Sequence, residues 1–141
     1  MPGHHLAQMN LATLRHRPDD PRMVGFKLGA HRIVRAAATA PGHVWNEQFA
    51  QEETARLITR SVWESFDALR DFVYSGVHAA YLKRTAEWFL PATAPGLALW
   101  WVPAGEIPTV EDALARLETL RAHGPTPEAF DFAHPHAAAG A

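Results

Sequence analysis

His78 is the side chain in this 141-residue chain best suited to move a proton at neutral pH, because an unperturbed imidazole titrates at about 6.5. Tyr74 lies one helical turn before it and can orient the ring or donate to a developing oxyanion. Asn10 adds an amide that can polarise a carbonyl or a phenol, and Gln8 adds a second on the same face of its strand. Trp45, Trp63, Phe72 and Tyr81 are aromatic walls for a ligand near these groups. The candidate catalytic set is therefore His78, Tyr74 and Asn10; the candidate substrate-binding set is Trp63, Trp45, Gln8, Tyr81 and Phe72. Polar groups among aromatic rings suit a small aromatic or lipophilic ligand. A plainer role stays open for each: His78 could cap a helix restarting at Ser75, and the tryptophans could be packing alone.

Composition removes other classes of function. The chain is 48% hydrophobic and 20% charged with a formal net charge of -2, and its Lys and Arg are scattered. It carries no electrostatic footprint for nucleic acid or an anionic membrane, so neither is expected as a partner. No apolar run reaches the roughly 18 residues of a spanning helix, the start lacks the basic-then-apolar order of a signal peptide, and a cytoplasmic location is expected. The absence of cysteine excludes thiol chemistry. GxGxxG, GxxxxGK, HExxH and GxSxG patterns are all missing. His4, His5, His123, His134 and His136 stand near solvated ends, and no metal site is expected.

The elements that must position the candidates follow from periodicity. Leu6 to Leu14 alternates as a strand, with Gln8 and Asn10 on one face. RHRPDDPR over 15–22 is a loop, and Met23 to Thr39 has Met23, Phe26, Ala30, Ile33 and Ala37 at helical spacing. His43 to Phe49 is a second strand, with His43, Trp45, Glu47 and Phe49 on one face. Gln51 to Ala55 is a hairpin loop, and Arg56 to Glu64 is a third strand. Ser65 is an N-cap, and Phe66, Leu69, Phe72 and Val73 begin an apolar stripe that Ser75-Gly76 interrupts with a kink or restart. Pro91 to Gly96 turns the chain into a fourth strand, Leu97 to Val102. Thr109 and Asp112 have capping-box spacing, with Val110, Ala113, Leu114, Leu117 and Leu120 following as a helix that Gly124-Pro125 stops.

The order β-α-β-β-α-β-α defines an α+β, ferredoxin-like split βαβ fold: a four-stranded antiparallel sheet with helices on one face and an extra C-terminal helix. One domain over 1–141 is expected, with its core at about 6–124 and an extended tail over 125–141. LALWWV over 97–102 is apolar on both faces and wants cover on both, which predicts a homodimer through sheet faces, a dimeric α/β barrel. Phe130 and Phe132 are expected to anchor the tail across the cleft mouth as a lid.

The run SVWESFDALRDFVYSGVH, Ser61 to His78, resembles the WES-x-x-x-L-x-x-F…S-x-x-H segment of antibiotic-biosynthesis-monooxygenase-like proteins in the dimeric α/β-barrel superfamily. WWVPAGEIPTVEDALARLETLRAHGPTPEAFDF, Trp100 to Phe132, is similar to the ending of a bacterial family in that group catalogued as a domain of unknown function. The likeness spans roughly Leu6 to Phe132 and implies the same fold and a dimer. It also implies a range of activities, from cofactor-free oxygenation of polycyclic phenols and polyketide cyclisation to haem degradation. Asn10 and Trp63 match an asparagine and a tryptophan of the haem-degrading branch. That branch's iron-ligating histidine would fall near Leu82, one turn after His78, and Phe72 stands where a distal tryptophan would be. The Tyr74/His78 pairing resembles the cofactor-free cyclases. The expectation is cofactor-free oxygenation or cyclisation of an aromatic, polyketide-like substrate by histidine acid/base chemistry, with a non-catalytic haem or lipophile binder, or a haem-dependent enzyme, as the alternative.

Overall fold

The central strand pair sets what faces what. In the computed structural model, which describes residues 3–51 and 53–138, β1 (His4–Thr13) pairs antiparallel with β3 (Arg56–Trp63) and with β4 (Leu97–Pro103). β2 (His43–Gln51) pairs with β3, giving the order β2-β3-β1-β4 of a ferredoxin-like sheet. The expectations for the first two and last three residues and for Glu52 of the hairpin fall outside the described residues. Between the strands run α1 (Val24–Ala38), α2 (Phe66–Val73), α3 (Gly76–Leu82) and α4 (Thr85–Trp88); α5 (Val110–His123) follows β4.

The helix starts behave as their residues dictate. Ser65 accepts from the Ala68 amide at 3.1 Å, and Thr109 accepts from the Asp112 amide at 3.0 Å with Glu111 and Asp112 in the first turn. Gly124, at φ +71, closes α5. The break after α2 falls at Ser75-Gly76 as the sequence predicts. A second break at Lys83-Arg84, with no Gly or Pro to announce it, separates α3 from the short α4.

Strand alternation sorts the sheet into two unlike faces. Toward α1–α4 the register aligns Leu6 with Trp63, Gln8 with Ser61, Asn10 with Thr59 and Ala12 with Leu57. Apolar clusters form at both ends of this face. At one end are Leu6, Trp63, Leu69, Leu99 and Phe130; at the other are Leu14, Met23, Phe26, Leu57 and Trp88. The polar middle stays between them. The opposite face carries Ala7, Met9, Ile58, Ala98, Trp100 and Val102, covered by Ala113, Leu117 and Leu120 of α5.

That cover changes the argument for a partner. β4 is apolar on both faces, as expected, but α5 of the same chain supplies its second layer over β1 and β4. The two-faced strand therefore does not by itself require a second copy. The face assignment along β2 also needs correction: an irregularity between His43 and Trp45 puts His43 opposite Trp63, while Trp45 stands opposite Val62. His43 and Trp45 thus share no face, and Trp45 lies on the α5 side, with the guanidinium of Arg60 over its ring at 5.0 Å. Arg60 is itself buried there, donating to the Pro108 carbonyl at 2.6 Å and pairing with Glu47.

The tail is no lid. Phe130 exchanges backbone hydrogen bonds with Leu99, both at 2.8 Å, and is 0% exposed among Leu6, Trp63 and Leu99. Phe132 packs on Phe66 and Tyr74, with ring centroids at 5.8 and 5.6 Å. The Trp101 indole donates to the His136 carbonyl at 2.7 Å, extending the tail along the β4 edge. Phe130→Ala should cost about 3–5 kcal/mol of stability, read as a lowered midpoint in urea unfolding. A loss under about 1 kcal/mol would show that the tail is only loosely attached.

Candidate functional site

Between the two apolar clusters, the helix-facing side of the sheet and α1–α4 enclose a cavity of about 800 Å³. Its floor is polar: Gln8 and Asn10 from β1, Thr59 and Ser61 from β3, Asn46 and Gln48 from β2. Its roof is largely apolar, with Ile33 and Ala37 from α1, Phe72 from α2, and Tyr81 beside His78 from α3. A cavity with one hydrogen-bonding wall and one aromatic-aliphatic wall holds a flat, mostly apolar molecule that carries polar groups along one side.

Trp63, Ser61 and Gln8 form a chain with a fixed direction. The Trp63 indole N–H, a donor only, meets the Ser61 hydroxyl at 2.9 Å, and that hydroxyl gives its proton to Gln8 Oε1 at 2.7 Å. All three residues are buried, which makes the pairing obligatory. Trp63 is further fixed by the edge of the His43 ring at 5.3 Å and by Phe72 at 5.2 Å. Asn10 differs. It is exposed to the open cavity, and no described residue hydrogen-bonds to its side chain.

His78 reaches the cavity because the helix breaks before it. Gly76 adopts φ +56, a left-handed conformation that favours glycine, and α3 starts there in a new direction. His78 Nδ1 then lies 3.0 Å from the Val73 carbonyl at the end of α2. A carbonyl only accepts, so Nδ1 carries the proton, and in the neutral ring Nε2 is left as an acceptor. Burial holds the pKa of His78 below the ordinary histidine range, against the opposing pull of the Val73 bond. Serine capping of α3 is absent; Ser75 donates instead to the Asp71 carbonyl. Phe72 and Tyr81 flank the imidazole at 5.4 and 5.9 Å. Tyr81 can sit so close to α1 because Gly29 faces it: a Cβ there would stand 3.1 Å from the ring. Burial pushes the Tyr81 phenol up, so it stays protonated and keeps an O–H to donate.

The fold thus brings Gln8, Asn10, Trp63, Phe72, His78 and Tyr81 to one cavity. Two predicted residues stand apart from it. Tyr74 is 59% exposed and leans on Phe132 outside the cavity, because α2 ends there and α3 departs at a new angle. Trp45 is on the far face of the sheet under Arg60. Sequence reasoning missed Asn46, Gln48, Thr59 and Ser61. The signal was available: both pairs repeat at period two, like Gln8 and Asn10, which is how strands share a polar face.

The element order and the sheet order β2-β3-β1-β4 define a protein of the ferredoxin-like α+β class. The sequence belongs to the family described as domain of unknown function DUF3291, whose model matches residues 5–141. No curated protein matches. Among solved structures, Rv0793 from Mycobacterium tuberculosis is similar, at 14% identity and a TM-score of 0.54 over 74% of this chain and 99% of that one. A putative antibiotic biosynthesis monooxygenase from Nitrosomonas europaea is 12% identical, at a TM-score of 0.55 over 76% of this chain and 94% of its own. SnoaB, a cofactor-independent oxygenase from Streptomyces nogalater, is 14% identical, at 0.53 over 73% and 95%. At such identities the likeness is one of fold. Among the described residues no helix is long and apolar enough to cross a membrane.

The depressed pKa of His78 ties stability to pH. The folded state binds its proton less readily than the unfolded chain, so this contribution is present above about pH 6.5 and is lost as pH falls through the lower folded value. The urea midpoint should therefore drop between about pH 7.5 and pH 5, and His78→Gln should remove part of that drop. An identical pH dependence in both proteins would show that His78 titrates as it does in water.

Proposed function

We propose that this chain is a small-molecule enzyme in which His78 takes a proton from an aromatic, polyketide-like ligand as the opening step of cofactor-independent oxygenation or cyclisation. The observation that carries this reading is the Nδ1 bond to Val73, which leaves Nε2 as a neutral acceptor in a ring that lines the cavity. The ionisable side chains lining the cavity are Arg56, His78, Tyr81, Glu118 and Arg121. Of these only a histidine changes charge near neutral pH, and among the described residues no carboxylate stands on the floor to compete as base. Once the proton has moved, the ligand is an electron-rich phenolate or enolate, ready to meet dioxygen or an internal carbonyl. Asn10, exposed at the floor, and Tyr81, held protonated, are placed to polarise it; Tyr74 has no part in this step. SnoaB, a cofactor-independent oxygenase, supports the same reading by likeness of fold.

A homodimer belongs to this proposal as well, supported by the likeness. With α5 over β1 and β4, a second copy would meet the outer face on its β2 side, where Trp45, Glu47 and Phe49 stand. A haem-binding reading uses the same histidine, since a hydrogen bond from Nδ1 to a backbone carbonyl also orients an imidazole that ligates iron through Nε2. Haem, when bound, would supply redox chemistry, with His78 as the residue to hold it.

With anthrone, the keto tautomer of a polycyclic phenol, as substrate, oxygen uptake and product formation should fall about 10²-fold in His78→Ala with the fold retained by circular dichroism. Undiminished turnover in that variant would remove His78 from the chemistry. Adding haemin separates the readings: a Soret band that shifts on binding and is lost in His78→Ala makes His78 an iron ligand, and a spectrum indifferent to the protein leaves the cofactor-independent reading in place.

A further inference from the structure

The amides on the cavity floor have their polarity set from behind. Because the Trp63 indole can only donate, the Ser61 oxygen accepts from it and must give its single proton to Gln8 Oε1. Gln8 Oε1 is thereby turned toward Ser61, and the Nε2 hydrogens are the donors this side chain has left to offer. No described residue accepts them, and Nε2 is not among the buried atoms cut off from any partner, so they remain reachable from the cavity. Asn46 shows the same arrangement. His43 Nε2 lies 2.7 Å from Asn46 Oδ1; an amide oxygen only accepts, so the ring donates, and Asn46 keeps Nδ2 for the cavity. Across the sheet Gln8 pairs with Ser61 and Ser61 with Asn46, so both amides belong to one row with Ser61 between them. Strands two apart stand roughly 10 Å from one another, so the two amide groups flank Ser61 on the floor of one cavity.

We infer that Gln8 and Asn46 are a donor pair that binds a ligand oxyanion, with Ser61 and His43 as positioning residues that fix which end of each amide faces the cavity. This deepens the proposed function and depends on it: the ligand is an aromatic phenol or enolisable ketone that is bound as its anion. When His78 Nε2 takes the proton, the ligand oxygen keeps the electron pair, and the charge develops over a floor that keeps two amide N–H donors for it. Among the described residues no carboxylate shares the floor to oppose that charge; Glu118 lies at the cavity wall with Arg121 at 3.7 Å, and Arg56 adds a cation at the cavity wall. The floor is thus a preformed site for negative oxygen made wholly from uncharged side chains.

Alizarin, a polycyclic phenol whose visible spectrum reports its ionisation, tests this by titration from acid to alkaline pH with and without the protein. Bound alizarin should ionise at lower pH than free alizarin, the phenolate binding about 10-fold or more tighter than the phenol. Gln8→Glu keeps the acceptor that Ser61 needs but replaces the cavity donor with a carboxylate oxygen, so bound alizarin should now ionise at higher pH than free. Asn46→Asp makes the same exchange beside His43 and serves if Gln8→Glu does not fold. Ser61→Ala should weaken binding of the phenolate more than binding of the neutral phenol, a split that a merely structural role would not produce. A phenolate preference unmoved by both carboxylate variants, or no preference in the wild type, overturns the donor pair while the cavity reading stands. Alizarin that binds in neither form overturns the small-molecule reading and the donor pair with it.

Discussion

A buried hydrogen-bonding group must find a partner, and the side of this sheet that faces the helices has more such groups than an apolar layer tolerates. The chain from Trp63 through Ser61 to Gln8 meets that requirement across two strands, and it does so in only one direction because an indole cannot accept. Around it the remaining architecture is arranged as two apolar plugs, one centred on Trp63, Leu99 and Phe130, the other on Phe26, Leu57 and Trp88. The plugs hold α1–α4 away from the sheet over its polar middle. A cavity is the result, because aliphatic side chains laid directly on those amides would leave them unpaired.

How much of this could be read from the chain follows from which interactions are local. Ser65, Thr109 and Gly124 act within a few residues of themselves, so the helix ends they set are legible. Strand alternation is also local, and with the element order it led to the four-stranded sheet and placed Gln8 and Asn10 together on one of its faces, the one that lines the cavity. The resemblance in the run from Ser61 to His78 led to the same class of fold that the structure shows.

What stayed hidden depends on contacts between distant segments. Trp45 sits on the far side because an irregularity in β2, visible only in its pairing with β3, moves it out of phase with His43. Tyr74 is a turn away from His78 by count, but a helix that stops and restarts does not keep its residues in line. α5 covers the second face of β4, which no local pattern announces, so a strand apolar on both sides looked as if it needed another molecule. Arg60, a charged residue within an apolar strand, is reconciled to burial by the Pro108 carbonyl, Glu47 and Trp45, all far from it in sequence.

The segment around Phe130 also changes what kind of boundary the sheet has. An edge strand offers a row of unpaired amides and carbonyls to any extended chain that comes near, and β4, being rich in tryptophan and leucine, would be an adhesive one. By pairing Leu99 with Phe130 the protein spends its own backbone on that edge and leaves the outermost strand on the other side, β2, as the exposed border. β2 carries Asn46, Glu47, Gln48 and Gln51. The sheet therefore has a backbone contact over the middle of its apolar edge and several polar side chains along the other, a pattern that discourages strand-by-strand growth from edge to edge while leaving the sheet face on the β2 side open to a second copy.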